Sequence, residues 1–334
     1  MTAAIEALLR DFEAGRPRAL ARLISLIEDE APGARELEAW ALARAGQGYR
    51  VGMTGPPGAG KSSLLDGLLR AYGARGLRLG VLAVDPSSPF TGGALLGDRI
   101  RMHEASRDAG VFIRSLGSRG SLGGLSARTE AVADLLDAFG HARIFIETVG
   151  VGQSELDIVE NCFSTVVVLT PESGDGIQTM KAGLMEIGDL FVVNKADRNG
   201  AERLAGELEA TLSGRGPREG WLPPVLRTVA TDADGRGVEA LVDAIESHRE
   251  FLAREGRLAL RRHEAIARRA RAAVDAAVGV ALWGDGNRMR VVENGVAKLL
   301  DGRIGFDALV SSALPADLGC LEAAPDPGAR TPDD

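Results

Sequence analysis

The sequence is poor in the residues that build disulfide and metal-thiolate sites. Only two of its 334 residues are cysteines, Cys162 and Cys320, and no C-x-x-C motif is present. The four histidines are scattered along the chain at His103, His141, His248 and His263. Neither residue type has the spacing of a disulfide framework or a zinc knuckle, and the low cysteine content fits a reducing cytosol.

Long apolar runs, an excess of basic residues and a leader-like N-terminus are also lacking. No apolar run approaches the roughly 20 residues of a membrane-spanning helix. The first residues contain no basic segment followed by an apolar one, so we expect no signal peptide and a cytoplasmic location. The net charge of −8 argues against nucleic-acid binding. A hydrophobic fraction of 45% nevertheless predicts a folded core.

The hydrophobic pattern predicts three folded regions and a tail. Residues 1–46 have apolar residues at i, i+3, i+4 and i+7, which predicts an N-terminal helical extension. In residues 47–252, short apolar runs alternate with helical patterns, which predicts an α/β domain with a mainly parallel sheet flanked by helices. The runs lie at 49–54, 79–84, 111–114, 143–147, 165–170, 190–194 and 225–230. Residues 253–322 again have a helical pattern, and 323–334 predict a flexible tail.

The C-terminal helical region contains a dense group of arginines beside an apolar stripe. The stripe consists of Ile266, Ala270, Val274 and Val278. The arginines are either the solvated face of a helix that packs on its own chain, or part of a subunit or partner interface.

The phosphate-binding loop of P-loop nucleotidases, G-x-x-x-x-G-K-[ST], is present in one copy. It consists of Gly55, Pro56, Pro57, Gly58, Ala59, Gly60, Lys61 and Ser62, and Ser63 follows it in the predicted nucleotide-binding set. A predicted strand precedes the loop and a helix follows it, so the free N–H groups of a helix N-terminus would face phosphate. Lys61 would reach the terminal phosphates, and the Ser62 hydroxyl would bind Mg²⁺.

A guanine-recognition motif follows the sixth predicted strand. Asn194-Lys195-Ala196-Asp197 matches N-K-x-D. The Asp197 carboxylate can accept from N1–H and the N2 amino group of guanine, whereas adenine has no donor at either position, so discrimination of about 10⁴ is attainable. Asn194 would brace the loop and contact O6 or N7, and the Lys195 stem would lie over the base. After the next strand come the residues expected to place a backbone N–H against O6: Val229, Ala230 and Thr231.

Three carboxylates stand at or near the ends of predicted strands. Glu147 begins Glu-Thr-Val-Gly, where many GTPases have D-x-x-G for the magnesium shell and the γ-phosphate. Asp85 follows the second strand, and Asp98 follows a Gly-rich stretch that could serve as a switch. Together they suit charge neutralisation and water positioning, although each alone could be a helix cap or a turn residue. Gln153 either positions water or is a polar residue in the first turn of the next helix.

With these motifs in place, residues 10–315 closely resemble the MeaB/ArgK group. These are P-loop GTPases of the SIMIBI class that associate with the adenosylcobalamin-dependent methylmalonyl-CoA mutase. The matching blocks are Gly55–Ser62, Val84–Pro89, Gly92–Met102, Glu147–Glu155, Gly174–Gln178 with Lys181, and Asn194–Asp197. The E-x-x-G motif and the Asp-Pro-Ser-Ser-Pro block are far more specific than the phosphate loop alone.

The resemblance implies a P-loop NTPase fold and Mg²⁺-dependent conversion of GTP to GDP and phosphate. It assigns the magnesium and switch carboxylates to Asp85, Asp98 and Glu147. Ser62 completes the expected metal set, and we expect Lys61, Asp98 and Glu147 to carry catalysis.

The resemblance also implies how the nucleotide state reaches a partner. A third switch, which couples this state to the mutase, corresponds to about residues 170–181, with Gln178 and Lys181 as its polar contacts. Family members are homodimers that use C-terminal helices, protect the mutase, and gate cobalamin loading and release. Val229 departs from the Ser common in the family's guanine loop, which puts only a side-chain contact in doubt.

Other functions stay open at this point. A GTPase metallochaperone for nickel, zinc or cobalt would need thiol or imidazole clusters, and Cys162 stands alone. A kinase of an amino-acid transport component is disfavoured by N-K-x-D, and a non-enzymatic scaffold by the presence of Lys61, Ser62 and Glu147. Without a certain cis arginine finger, hydrolysis should be slow until a partner stimulates it. The missing D-x-H-x-x-G motif predicts no independent cobalamin binding, and isobutyryl-CoA and related mutases are alternative clients.

Overall fold

A seven-stranded parallel sheet forms the centre of residues 1–263. The computed structural model describes residues 1–85, 110–117, 122–148, 162–173, 184–232, 235–284 and 286–314. The strands are β1 (Tyr49–Thr54), β2 (Leu79–Asp85), β3 (Val111–Gly117), β4 (Arg143–Thr148), β5 (Ser164–Leu169), β6 (Leu190–Asn194) and β7 (Val225–Thr228). Each coincides with a predicted apolar run to within a few residues. The prediction of a mainly parallel sheet is confirmed, since every strand pair described is parallel.

The strand order is β3-β2-β4-β1-β5-β6-β7, so β1 lies between β4 and β5. In the register, Met53 of β1 pairs with Glu147 of β4, and Asn194 of β6 pairs with Thr228 of β7. Because all strands run the same way, their carboxyl ends meet at one edge of the sheet. The motifs that follow β1, β4, β6 and β7 are therefore brought to this edge.

Helices cover both faces of the sheet. The helices that the structure describes are α1 (Ala3–Glu13), α2 (Pro17–Glu28), α3 (Ala34–Leu42), α4 (Lys61–Ala74), α5 (Leu122–Ala138), α6 (Ala201–Arg215), α7 (Val238–Ala253), α8 (Arg257–Trp283), α9 (Asn287–Leu300) and α10 (Phe306–Ala313), with one-turn 3₁₀ helices at Pro171–Ser173 and Arg254–Gly256. Strands β1, β4, β5 and β6 are buried along their whole length, as expected for a sheet covered on two sides. No described helix is long and apolar enough to cross a membrane.

Successive side chains of β4 point to opposite faces of the sheet and so pack in two different hydrophobic cores. Phe145 packs in a cluster with β1, α4 and α7. Ile144 and Ile146 pack on the opposite face, in a cluster with α5 and the N-terminal helices. Four apolar side chains of α2 are fully buried in that second cluster: Leu20, Leu23, Ile24 and Ile27. The predicted N-terminal helices thus share a core with the sheet.

A single carboxylate fixes the path of the chain into β1. Asp137 near the end of α5 accepts hydrogen bonds from three consecutive N–H groups, those of Gly46 (2.7 Å), Gln47 (3.1 Å) and Gly48 (2.7 Å). Asp137 is buried, so these charge-assisted bonds are well protected from water. The strand that delivers the phosphate loop therefore starts from a fixed point.

A second compact unit begins at Glu264, within α8. In this unit α9 packs on α10 so closely that a Cβ at Gly295 would lie 2.1 Å from Leu309 Cδ1. Helix α8 has no buried residue. The described residues leave several large apolar side chains exposed, among them Val274 (60%), Val280 (72%), Leu300 (81%) and Phe306 (67%).

Candidate nucleotide-binding site

The phosphate loop connects β1 to α4 and depends on backbone conformations that favour glycine. Gly55, Gly58 and Gly60 have φ values of 142°, 75° and 88°. Two of them also leave no room for a side chain, because a Cβ would lie 2.1 Å from the Val168 carbonyl oxygen at Gly55 and 2.4 Å from Asn194 Nδ2 at Gly60. Helix α4 starts at Lys61 with Gly60 as its N-cap. Its first N–H groups therefore open onto the loop, as an anion site requires.

Lys61 lies folded over the loop that precedes it. Its Nζ donates to the carbonyl oxygens of Gly55 (2.7 Å) and Pro56 (3.2 Å), and the residue is only 7% exposed. A buried ammonium group beside a helix N-terminus concentrates positive charge, which suits the binding of phosphate.

Ser62 and Glu147 bring a hydroxyl and a carboxylate together below the loop. The Ser62 Oγ donates to Glu147 Oε1 at 2.7 Å, and Glu147 is 5% exposed at the end of β4. Hard oxygen ligands of this kind are the ones that Mg²⁺ prefers beside a nucleoside triphosphate, so the donor set fits the ion. The described residues contain no group of three or more His, Cys, Asp or Glu side chains that could bind a metal without further ligands.

The other predicted carboxylates lie at the limit of the description. Asp85 ends β2, and the residue before it, Val84, pairs with Thr148 in β4. The backbone of Asp85 is therefore at the same edge of the sheet as Glu147. Its side chain lies outside the described residues, as do Asp98, Gln153, Gln178 and Lys181.

Asn194 ties three segments of the site together. Its Nδ2 donates to the Ala59 carbonyl oxygen of the phosphate loop at 2.8 Å. Its Oδ1 accepts from Thr228 Oγ1 (3.0 Å) and from the Ala230 N–H (3.2 Å). Asn194 is buried, so these bonds are satisfied inside the protein. Asn194 therefore connects the phosphate loop to the turns after β6 and β7, which we call the base end of the site.

The two turns at the base end differ in the hydrogen-bonding groups that they present. Asp197 lies exposed in the turn after β6. In the turn after β7, the N–H of Val229 donates to the Arg236 carbonyl oxygen at 3.0 Å, and that of Ala230 to Asn194. For the N–H of Thr231, no acceptor is found among the described residues. Thr231 is thus the position in this turn best suited to donate to a ligand.

A cavity of about 380 Å³ brings these segments together. It is lined by residues that follow β1, end β2 and β4, or follow β6 and β7: Pro57, Gly58, Gly60, Lys61, Ser62, Ser63, Ala83, Glu147, Thr148, Asn194, Lys195, Val229, Ala230 and Thr231. Of the predicted set that the structure describes with side chains, Gly55, Pro56, Ala59 and Asp197 do not line it. The volume falls within the range of small-molecule sites in proteins.

The sequence analysis did not single out three residues at the site. Ala83 and Thr148 line the cavity, and their positions at the ends of β2 and β4 were the available signal. Glu172, in the 3₁₀ turn after β5, accepts from Lys195 Nζ at 3.1 Å. It lies within residues 170–181, which the resemblance assigns to a third switch, but its contact with Lys195 has no signal in the sequence.

Comparisons with known proteins agree with this geometry. The model of the family described as "Methylmalonyl Co-A mutase-associated GTPase MeaB" matches residues 20–287. A Pyrococcus abyssi protein named as a GTPase is 52% identical over 265 residues, covering 78% of this chain and 81% of that protein. GTPase ArgK of Escherichia coli is 36% identical over 260 residues, with 75% and 77% covered.

Two further relatives extend the comparison. The mouse "Methylmalonic aciduria type A homolog, mitochondrial" is 36% identical over 276 residues, covering 77% of this chain and 66% of that protein. The crystal structure of a protein titled "LAO/AO transport system kinase" superposes with a TM-score of 0.74 at 25% identity, covering 94% of this chain and 97% of the other. The match of the family model over most of the chain, with the P-loop geometry described above, shows that the chain belongs to the MeaB family of P-loop GTPases.

Proposed function

We propose that this GTPase is a Mg²⁺-dependent chaperone of an adenosylcobalamin-dependent acyl-CoA mutase, with methylmalonyl-CoA mutase as the first candidate client. It would protect the mutase and gate loading and release of its cofactor. The family description and the name of the mouse relative support the choice of client. The observation that carries the GTPase assignment is the convergence of Lys61, Glu147 and Asn194 on one cavity.

The site has two chemically different ends, which orient the nucleotide. The phosphates would lie at the N-terminus of α4, where Lys61 and the loop N–H groups provide positive charge. The guanine would lie between the turns after β6 and β7, where the Thr231 N–H would donate to O6 and Asp197 would accept from N1–H and the N2 amino group. An exposed carboxylate in this turn becomes covered when the base binds, and its hydrogen bonds then discriminate against adenine.

At the phosphate end, the residues of the chain would hold the γ-phosphate and a water molecule in line. Lys61 would release the two loop carbonyl groups and donate to phosphate oxygen, which offsets the charge that develops there. Ser62 and Glu147, with Asp85 and Asp98, would hold Mg²⁺ directly or through water. The ion would supply further charge neutralisation at the β- and γ-phosphates. Glu147, Asp98 and Lys61 are the proposed catalytic residues.

Hydrolysis by the isolated protein should be slow. None of the cavity-lining residues that the structure describes is an arginine. We infer that a partner supplies the charge that an arginine finger would contribute, with Gln178 and Lys181 of residues 170–181 as contacts to that partner.

We also propose a cytoplasmic homodimer that forms through the C-terminal helices. The support is the apolar surface left exposed by the described part of α8, α9 and α10, which includes Val274, Leu300 and Phe306. A second copy that covered these side chains would remove their apolar surface from water.

The base assignment is tested by exchanging the hydrogen-bond donors and acceptors. Asp197→Asn should lose its preference for GTP and gain binding of xanthosine triphosphate, whose C2 oxygen replaces the amino group. Dissociation constants for both nucleotides, measured by titration calorimetry, check this. Unchanged GTP affinity in the variant would overturn the assignment.

The client assignment needs a separate measurement. GTP turnover should rise when the mutase with its cofactor is added, and turnover by Lys61→Ala should be about 10²- to 10³-fold lower in both conditions. Pull-down from the native cytosol should recover the mutase. A turnover rate that the mutase leaves unchanged would contradict the chaperone proposal while leaving the GTPase assignment intact.

A further inference from the structure

The 3₁₀ turn after β5 makes an ion pair with the base-recognition turn after β6. Glu172 accepts from Lys195 Nζ at 3.1 Å and also pairs with Arg198 in the same turn. The two strands are hydrogen-bonded neighbours, with Leu169 pairing with Val193. The pair therefore bridges two strand ends at the carboxyl edge of the sheet.

Lys195 combines an unusual backbone conformation with a position at the nucleotide cavity. Its φ of 56° lies in the left-handed region, which a residue with a side chain adopts only at a cost in conformational energy. The residue also lines the nucleotide cavity. Such strain persists where the surrounding structure fixes it, and it is concentrated at ligand-binding positions.

We propose that Glu172 is a positioning residue for the guanine base. It holds the ammonium end of Lys195 outside the cavity, so that the aliphatic stem forms one wall of the base-binding part. Arg198 pairs with the other carboxylate oxygen of Glu172 and fixes the orientation of the carboxylate. The inference rests on the proposed function, since it requires a purine at this end of the cavity.

The geometry favours this role over an ordinary surface ion pair. A flexible lysine stem can serve as a wall only when its end is restrained, because each free side chain loses conformational entropy on binding. The Glu172 and Lys195 side chains are 46% and 30% exposed, so water screens the pair and its effect is modest. We expect a change of about two- to fivefold in nucleotide affinity, the range for exposed ion pairs.

The experiment compares ligands with and without a base. Glu172→Gln should raise the Kd of GDP and the KM of GTP by the same factor and leave kcat unchanged. The Kd of inorganic tripolyphosphate with Mg²⁺ should stay the same, because this ligand has no base to contact Lys195. In a Lys195→Ala background, Glu172→Gln should have no further effect, as a double-mutant cycle requires when one residue acts through the other.

Glu202→Gln is the matched control. Glu202 on α6 pairs with Arg227 at 3.1 Å, is more exposed than Glu172, and does not line the cavity. It should leave every measured constant unchanged. Identical GDP affinity in the wild type and Glu172→Gln would overturn the inference alone, and so would an equal loss for GDP and tripolyphosphate. Failure of the wild type to bind GDP would overturn the proposed function and this inference together.

Discussion

At the amino edge of the sheet, where the strands begin, several polar groups surround the buried Asp189 carboxylate. Asp189, just before β6, accepts from the Thr165 N–H (2.9 Å) and from Arg218 (2.8 Å), and lies near Arg261 and the buried His248. At the carboxyl edge the polar groups line a cavity. The same strands thus begin at a network of ion pairs and hydrogen bonds and end at a cavity.

The difference shows how stability and function are divided in this fold. A satisfied buried network rigidifies a structure, whereas groups intended for a ligand must keep hydrogen-bonding capacity. Mutations at the amino edge should therefore change mainly the free energy of unfolding. Mutations at the carboxyl edge should change mainly nucleotide affinity and GTP turnover, and the free energy of unfolding less.

Lys61→Ala should produce the largest functional effect. The variant loses the cation closest to the phosphates, and we expect GTP turnover to fall by about 10²- to 10³-fold, the typical cost of removing one charge-stabilising donor. The free energy of unfolding should change little, because the hydrogen bonds of the Lys61 ammonium group to Gly55 and Pro56 lie within its own loop. Single-turnover hydrolysis and urea denaturation measure the two quantities. A large loss of stability would contradict the proposal that the amino edge determines stability and the carboxyl edge determines function.

Asp189→Ala should show the opposite pattern. It removes the acceptor of a backbone N–H and of Arg218 from a buried position, and we expect a loss of about 3 kcal/mol in the free energy of unfolding. The Kd of GDP for the folded fraction should stay the same. Glu239→Ala, at an exposed pair with Arg75, is a control with little expected effect on stability. A changed GDP affinity in Asp189→Ala would show that the two edges are coupled.

Much of this architecture is predictable from the sequence because its signals are local. The strands of the sheet are short apolar runs, and the phosphate loop and N-K-x-D are contiguous motifs, so their place at strand ends follows from parallel topology. Long-range pairing is different. The contacts from Asn194 to Ala59 and from Ser62 to Glu147 join residues 135 and 85 positions apart, and no local pattern encodes them.

Glu172 shows the same limit at the site itself. Its role depends on β5 and β6 being neighbours in the sheet, and the apolar runs of the sequence do not indicate which strands pair. The amino-edge network was missed for a similar reason, since Asp189, Arg218 and His248 belong to separate elements. A lone polar residue next to an apolar run has no sequence signal that identifies its partner.

Acidification should weaken the amino edge first. Burial lowers the pKa of His248 and of His141 from 6.5 to about 4 each. The unfolded chain then binds more protons than the folded chain between pH 6.5 and 4, so stability falls as the pH falls through this window. At pH 5 the loss amounts to about 2 kcal/mol for each histidine.

Urea denaturation at pH 7 and pH 5 checks this dependence. His248→Asn should be less stable at pH 7, because the imidazole packs on Trp221 and bonds to Ser164, but its stability should drop less on acidification. Glu246 adds a separate loss at lower pH. Burial opposes its ionisation, but the hydrogen bonds from Arg143 and Arg249 outweigh this and lower its pKa to about 2. An equal drop for wild type and His248→Asn between pH 7 and pH 5 would exclude His248 as the source.

The smallest predicted effect is a difference in GDP affinity between two glycine variants of the phosphate loop. It distinguishes the cost of backbone strain from the contribution of the Asn194 brace. Gly58 and Gly60 both have positive φ, so alanine at either position costs about 1 kcal/mol or more in strain. A Cβ at Gly58 meets no atom within 4 Å, whereas a Cβ at Gly60 lies 2.4 Å from Asn194 Nδ2. Gly60→Ala must therefore displace Asn194 from Ala59 as well. We expect its GDP affinity to be about tenfold below that of Gly58→Ala, the factor for roughly one lost hydrogen bond. Equal affinities would show that strain alone matters, and that the brace contributes nothing to nucleotide binding.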